Sequence, residues 1–270
     1  MPALDPTRAT NLTAARLDMH AAAQVVSALG ASLLPAQDDA SHTNLGWDTA
    51  IAGLVGRPVE GAQAALLFGP MRWQLWRDGT VLAEQDAAGQ TLAQGLAWLR
   101  AAAAAHGLPD QPLAAPTDYA LPDAAPTDRP LGDSDPADRA QLAAWFSLAH
   151  AVLADRGVPL DGVGAPRCWP HHFDLAVSIP LEAASGEEAR SLGVGLSPGD
   201  SGIDQPYVSV TPWPYPTEHA GPDLPLGAWH TDGWFGAVLR GEQVAAADPH
   251  GSLGRFIDAA LPAAGRLAGA

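Results

Sequence analysis

The residues Arg167-Cys168-Trp169-Pro170-His171-His172-Phe173-Asp174-Leu175-Ala176 open the stretch of sequence that decides the fold of the second half. Beyond them, apolar side chains recur at every second position, as in a strand with one buried face, at Phe173, Leu175, Val177, Ile179 and Leu181. The opposite face then holds His172, Asp174, Ala176 and Ser178. His172 and Asp174 are therefore predicted to point the same way. They can bind a metal, move a proton, or form a structural pair that closes the strand end.

The same patterns predict further elements in the second half. Asp135 is a good N-cap for a helix with Pro136 in its first turn and Leu142, Trp145, Ala149 and Val152 as its apolar stripe. After the strand at 172–181, alternation predicts strands at 190–197, 206–213 and 228–240. Helical spacing predicts a last helix at about 250–262.

The first half contains a similar set of elements. We predict a helix over 12–29, strands over 45–54, 63–68, 72–76 and 81–84, and a helix over 91–106. Asp78-Gly79 is typical of the turn in the last hairpin. The predicted fold is α+β, with two similar lobes of antiparallel sheet and packed helices, and an internal duplication would explain the likeness of the lobes. The expected divisions are lobes at 1–115 and 136–270, joined by a proline-rich connector at 116–135.

Composition excludes several classes of function. The chain has 270 residues, with 30 acidic against 14 basic, for a formal net charge of -16. That charge repels phosphate backbones and anionic lipids, so we expect no nucleic-acid or membrane partner. All basic residues apart from histidine are arginine, which excludes Schiff-base lysines and phosphate-loop lysines. The sequence contains neither a nucleophile elbow nor a dinucleotide-binding glycine motif. Nothing in it sets the oligomeric state.

Cys168 is the only cysteine, so the chain has no internal disulfide and no multi-thiolate zinc site. A nucleophilic role beside His171 or His172 is open, but a small buried hydrophobic residue is the commoner state of such a cysteine. The N-terminal residues lack a signal-peptide pattern, and no window is long and apolar enough for a membrane span. We expect a cytoplasmic protein.

Three groups of residues resemble a bacterial family known as domain of unknown function 5996. The family's aromatic-Asp-Leu-Ala segment is similar to Phe173–Ala176, its Pro-Gly turn to Pro198-Gly199, and its repeated aromatic-Pro run to 212–216. The likeness covers roughly residues 40–216, and it departs from the family at Leu45-Gly46-Trp47 and at the tail 229–234. It implies the two-lobed architecture and no established activity.

One face of the second predicted sheet is formed by small residues, and it leaves room for a ligand. Ser178, Ser191, Gly193, Gly195, Ser197, Ser209 and Thr211 alternate with apolar neighbours. The expected ligand-binding residues around this hollow are Tyr207, Trp213, Tyr215, Trp229 and Trp234. The alternatives are a helix packed over the glycines or a solvated face.

His230 and Asp232 repeat the spacing of His172 and Asp174. If the strands that carry them pair antiparallel, two imidazoles and two carboxylates meet, which suits zinc or another divalent metal with His172 and His230 as ligands. Asp200 is either a turn residue or a participant in catalysis.

Two functions follow. One is a metal- or histidine-dependent hydrolase or lyase acting on a small neutral or cationic molecule, with His172, Asp174, His230 and Asp232 as catalytic residues. The other is a non-catalytic ligand-binding or interaction module with structural histidines. They differ in whether those four side chains converge.

Overall fold

The computed structural model of the chain describes residues 3–116, 119–155, 165–181, 189–217 and 220–268. The chain divides into two compact units. Unit 1 comprises Leu12–Ala144 and Arg167–Phe173, and unit 2 comprises Ala3–Asn11, Trp145–Pro166 and Asp174–Ala270. Each unit has an antiparallel sheet and helices, so the α+β prediction is confirmed. The internal duplication stays a prediction.

The division differs from the predicted lobes at 1–115 and 136–270. The reason lies in Arg167–Trp169, a short strand that the sequence did not predict. It pairs antiparallel with a strand of the first half, in the register Gly46↔Arg167, and thus belongs to unit 1. The helix Pro136–Asp155 begins in unit 1 and continues in unit 2.

Unit 1 has the strand order β6-β1-β2-β3-β4-β5. Its elements are α1 (Thr13–Leu33), β1 (Leu45–Asp48), β2 (Gly53–Val55), β3 (Ala62–Leu67), β4 (Arg72–Arg77), β5 (Thr80–Asp86), α2 (Leu92–Ala105), the start of α3 (Pro136–Asp155) and β6 (Arg167–Trp169). The predicted strand over 45–54 is wrong, because a turn splits it into the hairpin β1–β2. Ala52 has a positive φ of 48° in this turn. Positive φ is typical of glycine, so an alanine at this position gives no sign of the turn in the sequence.

The core of unit 1 lies between its sheet and the helices α1 and α2. Trp73 is 1% exposed, and its indole Nε1 donates to the carbonyl of Ala22 at 3.0 Å. Gly95 of α2 makes room for this ring, because a Cβ there would lie 2.6 Å from it. Thr91 and Gln94 form the capping box that begins α2. The apolar alternation of the strands therefore buries one sheet face and leaves the other for polar residues.

Unit 2 has the strand order β10-β11-β9-β8-β7. Its elements are the end of α3, β7 (Asp174–Pro180), β8 (Ser191–Ser197), β9 (Tyr207–Trp213), β10 (Ala228–His230), β11 (Gly236–Arg240), α4 (Pro249–Ala268) and the 3-10 turns Pro6–Asn11 and Gly241–Gln243. Leu196 and Val208 meet Leu253 and Ile257 of α4 in the core. A helix needs a long apolar stretch to cross a bilayer. No helix among the residues described above meets that requirement.

Candidate functional site

The structure places His172 in a turn, outside the strand that was predicted to carry it. The amides of His172 and Phe173 both donate to the carbonyl of Trp169, at 3.2 and 2.7 Å, which winds the chain before β7 begins at Asp174. Phe173 has a positive φ of 57°. His172 and Asp174 therefore do not share the face of one strand. The prediction missed this because Phe173 fits the apolar alternation although it lies in the turn.

The strands that carry Asp174 and His230, whose pairing would bring two imidazoles and two carboxylates together, do not pair. Asp174 begins β7, which pairs with β8, whereas His230 ends β10, which pairs with β11. Three strands separate β7 from β10 in the sheet of unit 2. At ~4.8 Å per strand, the two residues lie about 19 Å apart, too far to share a metal. Among the described residues, no group of three or more His, Cys, Asp or Glu side chains is placed to hold a metal ion.

His230 instead forms contacts within its own loop. Its Nε2 lies 2.8 Å from the backbone carbonyl of Asp232, and its ring centroid is 4.4 Å from that of Trp234. The Asp232 carboxylate is not the partner in this hydrogen bond. The contact between His230 and Asp232 is a turn contact, as expected if His230 is a structural residue of a non-catalytic module.

The buried histidine of unit 1 is His20 on α1, which the sequence did not single out. Its Nε2 donates to the carbonyl of Pro170 at 2.8 Å, and its ring stacks on Phe173 with centroids 5.0 Å apart. Burial lowers the pKa of His20 to about 4. Gln24 Nε2 donates to the same carbonyl at 2.9 Å, so α1 holds the turn that carries His171 and His172. His20 thus has a structural role.

The aromatic residues predicted to surround a hollow in the second half are divided between the core and the surface. Tyr207 is buried, and its hydroxyl donates to Asp200 at 2.6 Å, while its ring stacks with Trp234. Burial and this bond raise the pKa of Tyr207. Trp229 stacks on Phe235 and donates to the carbonyl of Pro222. Trp213 and Tyr215 are 45% and 40% exposed.

Asp200 is a turn residue. One carboxylate oxygen accepts from the amides of Gly202 and Ile203, at 2.7 and 2.8 Å. The other accepts from Tyr207. Both oxygens are therefore engaged in holding the loop before β9, as the turn alternative predicted.

A hollow of about 300 Å³ lies on the open face of the sheet of unit 1. The strand registers place its lining: Gly46 of β1 is opposite Arg167 and Val55, and Gln63 of β3 is opposite Trp76. Gln63 Nε2 donates to the carbonyl of Gly56 at 2.9 Å, which holds the chain just before Arg57. The polar and aromatic side chains of the hollow are Asp48, Arg57, Gln63, Trp76 and Arg167. Trp47 borders the hollow through β1, but its ring is buried against Phe68.

Gly46 sets the position of Arg167 over this sheet. A Cβ at Gly46 would lie 3.1 Å from Arg167 Nη1, so the guanidinium occupies the space that a side chain would fill. Burial lowers the pKa of Arg167, and the neighbouring positive charge of Arg57 lowers it further. The two guanidinium groups are therefore near enough to repel each other.

The sequence analysis did not predict this hollow, although some of its residues lie in stretches that it singled out. Arg167 opens the stretch that decides the fold, and Gly46 belongs to the departure from the family pattern at Leu45-Gly46-Trp47. The one indication of the hollow in the sequence was the occurrence of polar residues at alternate positions of the strands. The same pattern occurs on any solvated sheet face. Only the register brings Arg57 and Arg167 together.

The comparisons with known proteins found nothing similar. No protein-family model, curated protein or solved structure matches this chain. The resemblance to the family of domain of unknown function 5996 therefore stays a prediction. The geometry of the hollow and of the histidines has to support any function by itself.

Proposed function

We propose that this protein is a non-catalytic module that binds a small molecule in the hollow of unit 1. The supporting observation is the hollow itself, about 300 Å³ in volume, with Trp76 and two arginines in its lining. Ligand sites of this size combine apolar walls with a few convergent polar groups. His20 and His230 are structural in this proposal, since both bond to backbone carbonyls.

The rest of the proposal concerns the surroundings of the protein. We propose a bacterial, cytoplasmic protein related to the family of domain of unknown function 5996. The single buried cysteine supports an environment in which disulfides are not needed. The net charge of -16 supports a small-molecule ligand over nucleic acid.

The test is a thermal-shift screen of small aromatic acids, amides and amines, followed by calorimetric titration of the compounds that bind. A ligand at 100 times its Kd stabilises the folded state by about 2.7 kcal/mol, which raises Tm by several degrees. Trp76→Ala removes a wall of the hollow, and Trp213→Ala is the matched control in unit 2. We expect binding to wild type and to Trp213→Ala, and at least tenfold weaker binding to Trp76→Ala.

Two outcomes contradict this proposal. If none of the screened compounds binds, the hollow is not a ligand site for that class. If binding is lost in Trp213→Ala and kept in Trp76→Ala, the ligand site lies in unit 2, as the sequence first suggested. The Tm of each variant without ligand shows whether it is folded.

A further inference from the structure

Arg57 and Arg167 differ in their electrostatic surroundings from three other arginines of unit 1, which pair with carboxylates. Arg72 and Arg100 bond carboxylates at 2.8 and 2.7 Å, and Arg129 pairs with Asp133. Within the described parts of the chain, neither the Arg57 nor the Arg167 guanidinium has a carboxylate or hydrogen-bond partner. The chain has 30 acidic residues, yet these two cations lie beside each other at one hollow.

Two unpaired guanidinium groups at one hollow form an unsatisfied site for negative charge. Each guanidinium offers a planar set of N–H donors that fits the oxygens of a carboxylate or a phosphate. An anion between them would neutralise their repulsion and accept hydrogen bonds that the protein does not supply. Burial and the charge of Arg57 both lower the pKa of Arg167 and so disfavour its charged form.

We propose that the hollow binds the oxyanion group of a small organic anion, a carboxylate or a phosphate monoester, through Arg57 and Arg167. The organic part of the ligand then lies against Trp76 and Val55, which line the same hollow. This inference rests on the proposed binding function and adds the class of ligand. It differs from the neutral or cationic ligand that the net charge of the chain suggests, because local charge decides binding at contact distance.

Asp48 is the acidic residue in the lining, and its charge opposes the binding of an anion. Asp48 is opposite Gly53, two residues along β1 from the Gly46 that faces Arg167. One of its oxygens accepts from the amide of Ala50 at 2.8 Å. Its charge weakens the binding of a simple anion. Asp48→Asn should therefore tighten binding of the anion by about two- to fivefold, the size expected for one partly screened charge.

The experiment compares four probes by calorimetric titration: benzoate, phenyl phosphate, benzamide and inorganic phosphate. Benzamide has nearly the shape of benzoate without its charge. We expect benzoate or phenyl phosphate to bind at least tenfold tighter than benzamide, with affinity that falls as salt rises. Tighter binding of benzoate identifies a carboxylate site, and tighter binding of phenyl phosphate identifies a phosphate site.

The variants Arg57→Gln and Arg167→Gln should each weaken binding of the preferred anion at least tenfold. A lost charge-assisted hydrogen bond of ~1.5 kcal/mol corresponds to that factor. Arg100→Gln changes the net charge equally on the surface of unit 1 and should leave binding unchanged. If all three variants weaken binding alike, the effect comes from net charge and the proposed site is wrong.

The outcomes separate this inference from the proposed function. If benzamide binds as tightly as benzoate, and Trp76→Ala weakens both, the hollow binds ligands but does not select anions. If inorganic phosphate binds as tightly as phenyl phosphate, the organic part makes no contact and the proposal of an organic ligand is wrong. If none of the four probes binds at millimolar concentration, the oxyanion inference fails, and the screen of amides and amines still tests the hollow.

Discussion

The open sheet faces of the two units differ in the residues that they present. The face in unit 1 has long polar side chains and a half-buried Trp76 around a hollow. The corresponding face in unit 2 has a row of small residues, Ser178↔Gly193↔Thr211, in direct register. Small residues leave room for a ligand, but they offer few groups that can bind it. Long side chains on neighbouring strands build both the walls and the charges of a site, so the first face is the better candidate.

One buried and one exposed tryptophan, Trp73 of unit 1 and Trp213 of unit 2, can be compared through two variants. Trp73→Ala in unit 1 removes a ring that is 1% exposed, with a bond to Ala22 and a stacked Trp98. We expect the free energy of unfolding to fall by about 4 kcal/mol. Trp213→Ala in unit 2 removes a ring that is 45% exposed and should change it by less than about 0.5 kcal/mol.

Urea denaturation followed by circular dichroism measures both values. An equally large loss in Trp213→Ala would show that the exposed ring of unit 2 is covered in solution. That result would break the comparison, since unit 2 would then have an interaction surface of its own.

A pH series sharpens the comparison for the helix-covered side of unit 1. The pKa of His20 is about 4 in the folded protein, against an ordinary value of 6.5. A lowered pKa means that the unfolded chain binds the proton first as pH falls. The stability contributed by neutral His20 is therefore complete above pH 6.5 and is lost as the pH falls from there to about 4. The loss is about 3 kcal/mol at most.

His20→Gln keeps a side-chain N–H for Pro170 and removes this titration. The difference in unfolding free energy between wild type and His20→Gln should shrink as the pH falls from 7 to 4. Trp213→Ala should follow the wild-type profile. Equal pH slopes for wild type and His20→Gln would mean that the imidazole is accessible to protons in the folded state.

The smallest expected effect concerns the charges of the open face in unit 1. Arg167→Met removes a partly buried charge beside Arg57, so we expect the free energy of unfolding to rise by about 0.5 kcal/mol. The same variant should lose anion binding. Arg100→Met, which breaks an exposed pair with Asp110, should lower stability by a few tenths of a kcal/mol at most. A clear loss of stability in Arg167→Met would assign Arg167 to the fold.

Sequence patterns predicted the regular elements well where the local signal and the packing agree. The Thr91–Gln94 box begins α2, Asp135 precedes α3, and Asp78-Gly79 turns β4 into β5. The predicted strand over 228–240 is wrong, because it is the hairpin β10–β11. Two other errors occurred at residues whose backbone conformation is unusual for their type. Ala52 and Phe173 both have positive φ. Alternation therefore predicts one strand where Ala52 turns the hairpin β1–β2, and it includes Phe173 in β7 although Phe173 lies in the turn before it.

The sequence by itself determined the class of fold and indicated the burial of Cys168, because composition and periodicity are local properties that one strand or helix expresses alone. Only the tertiary structure decided which side chains meet. Strand order separated Asp174 from His230, and strand register brought Arg167 over Gly46 at the hollow of Arg57. Order and register depend on pairings between residues far apart in the chain, which alternation within a single strand does not encode.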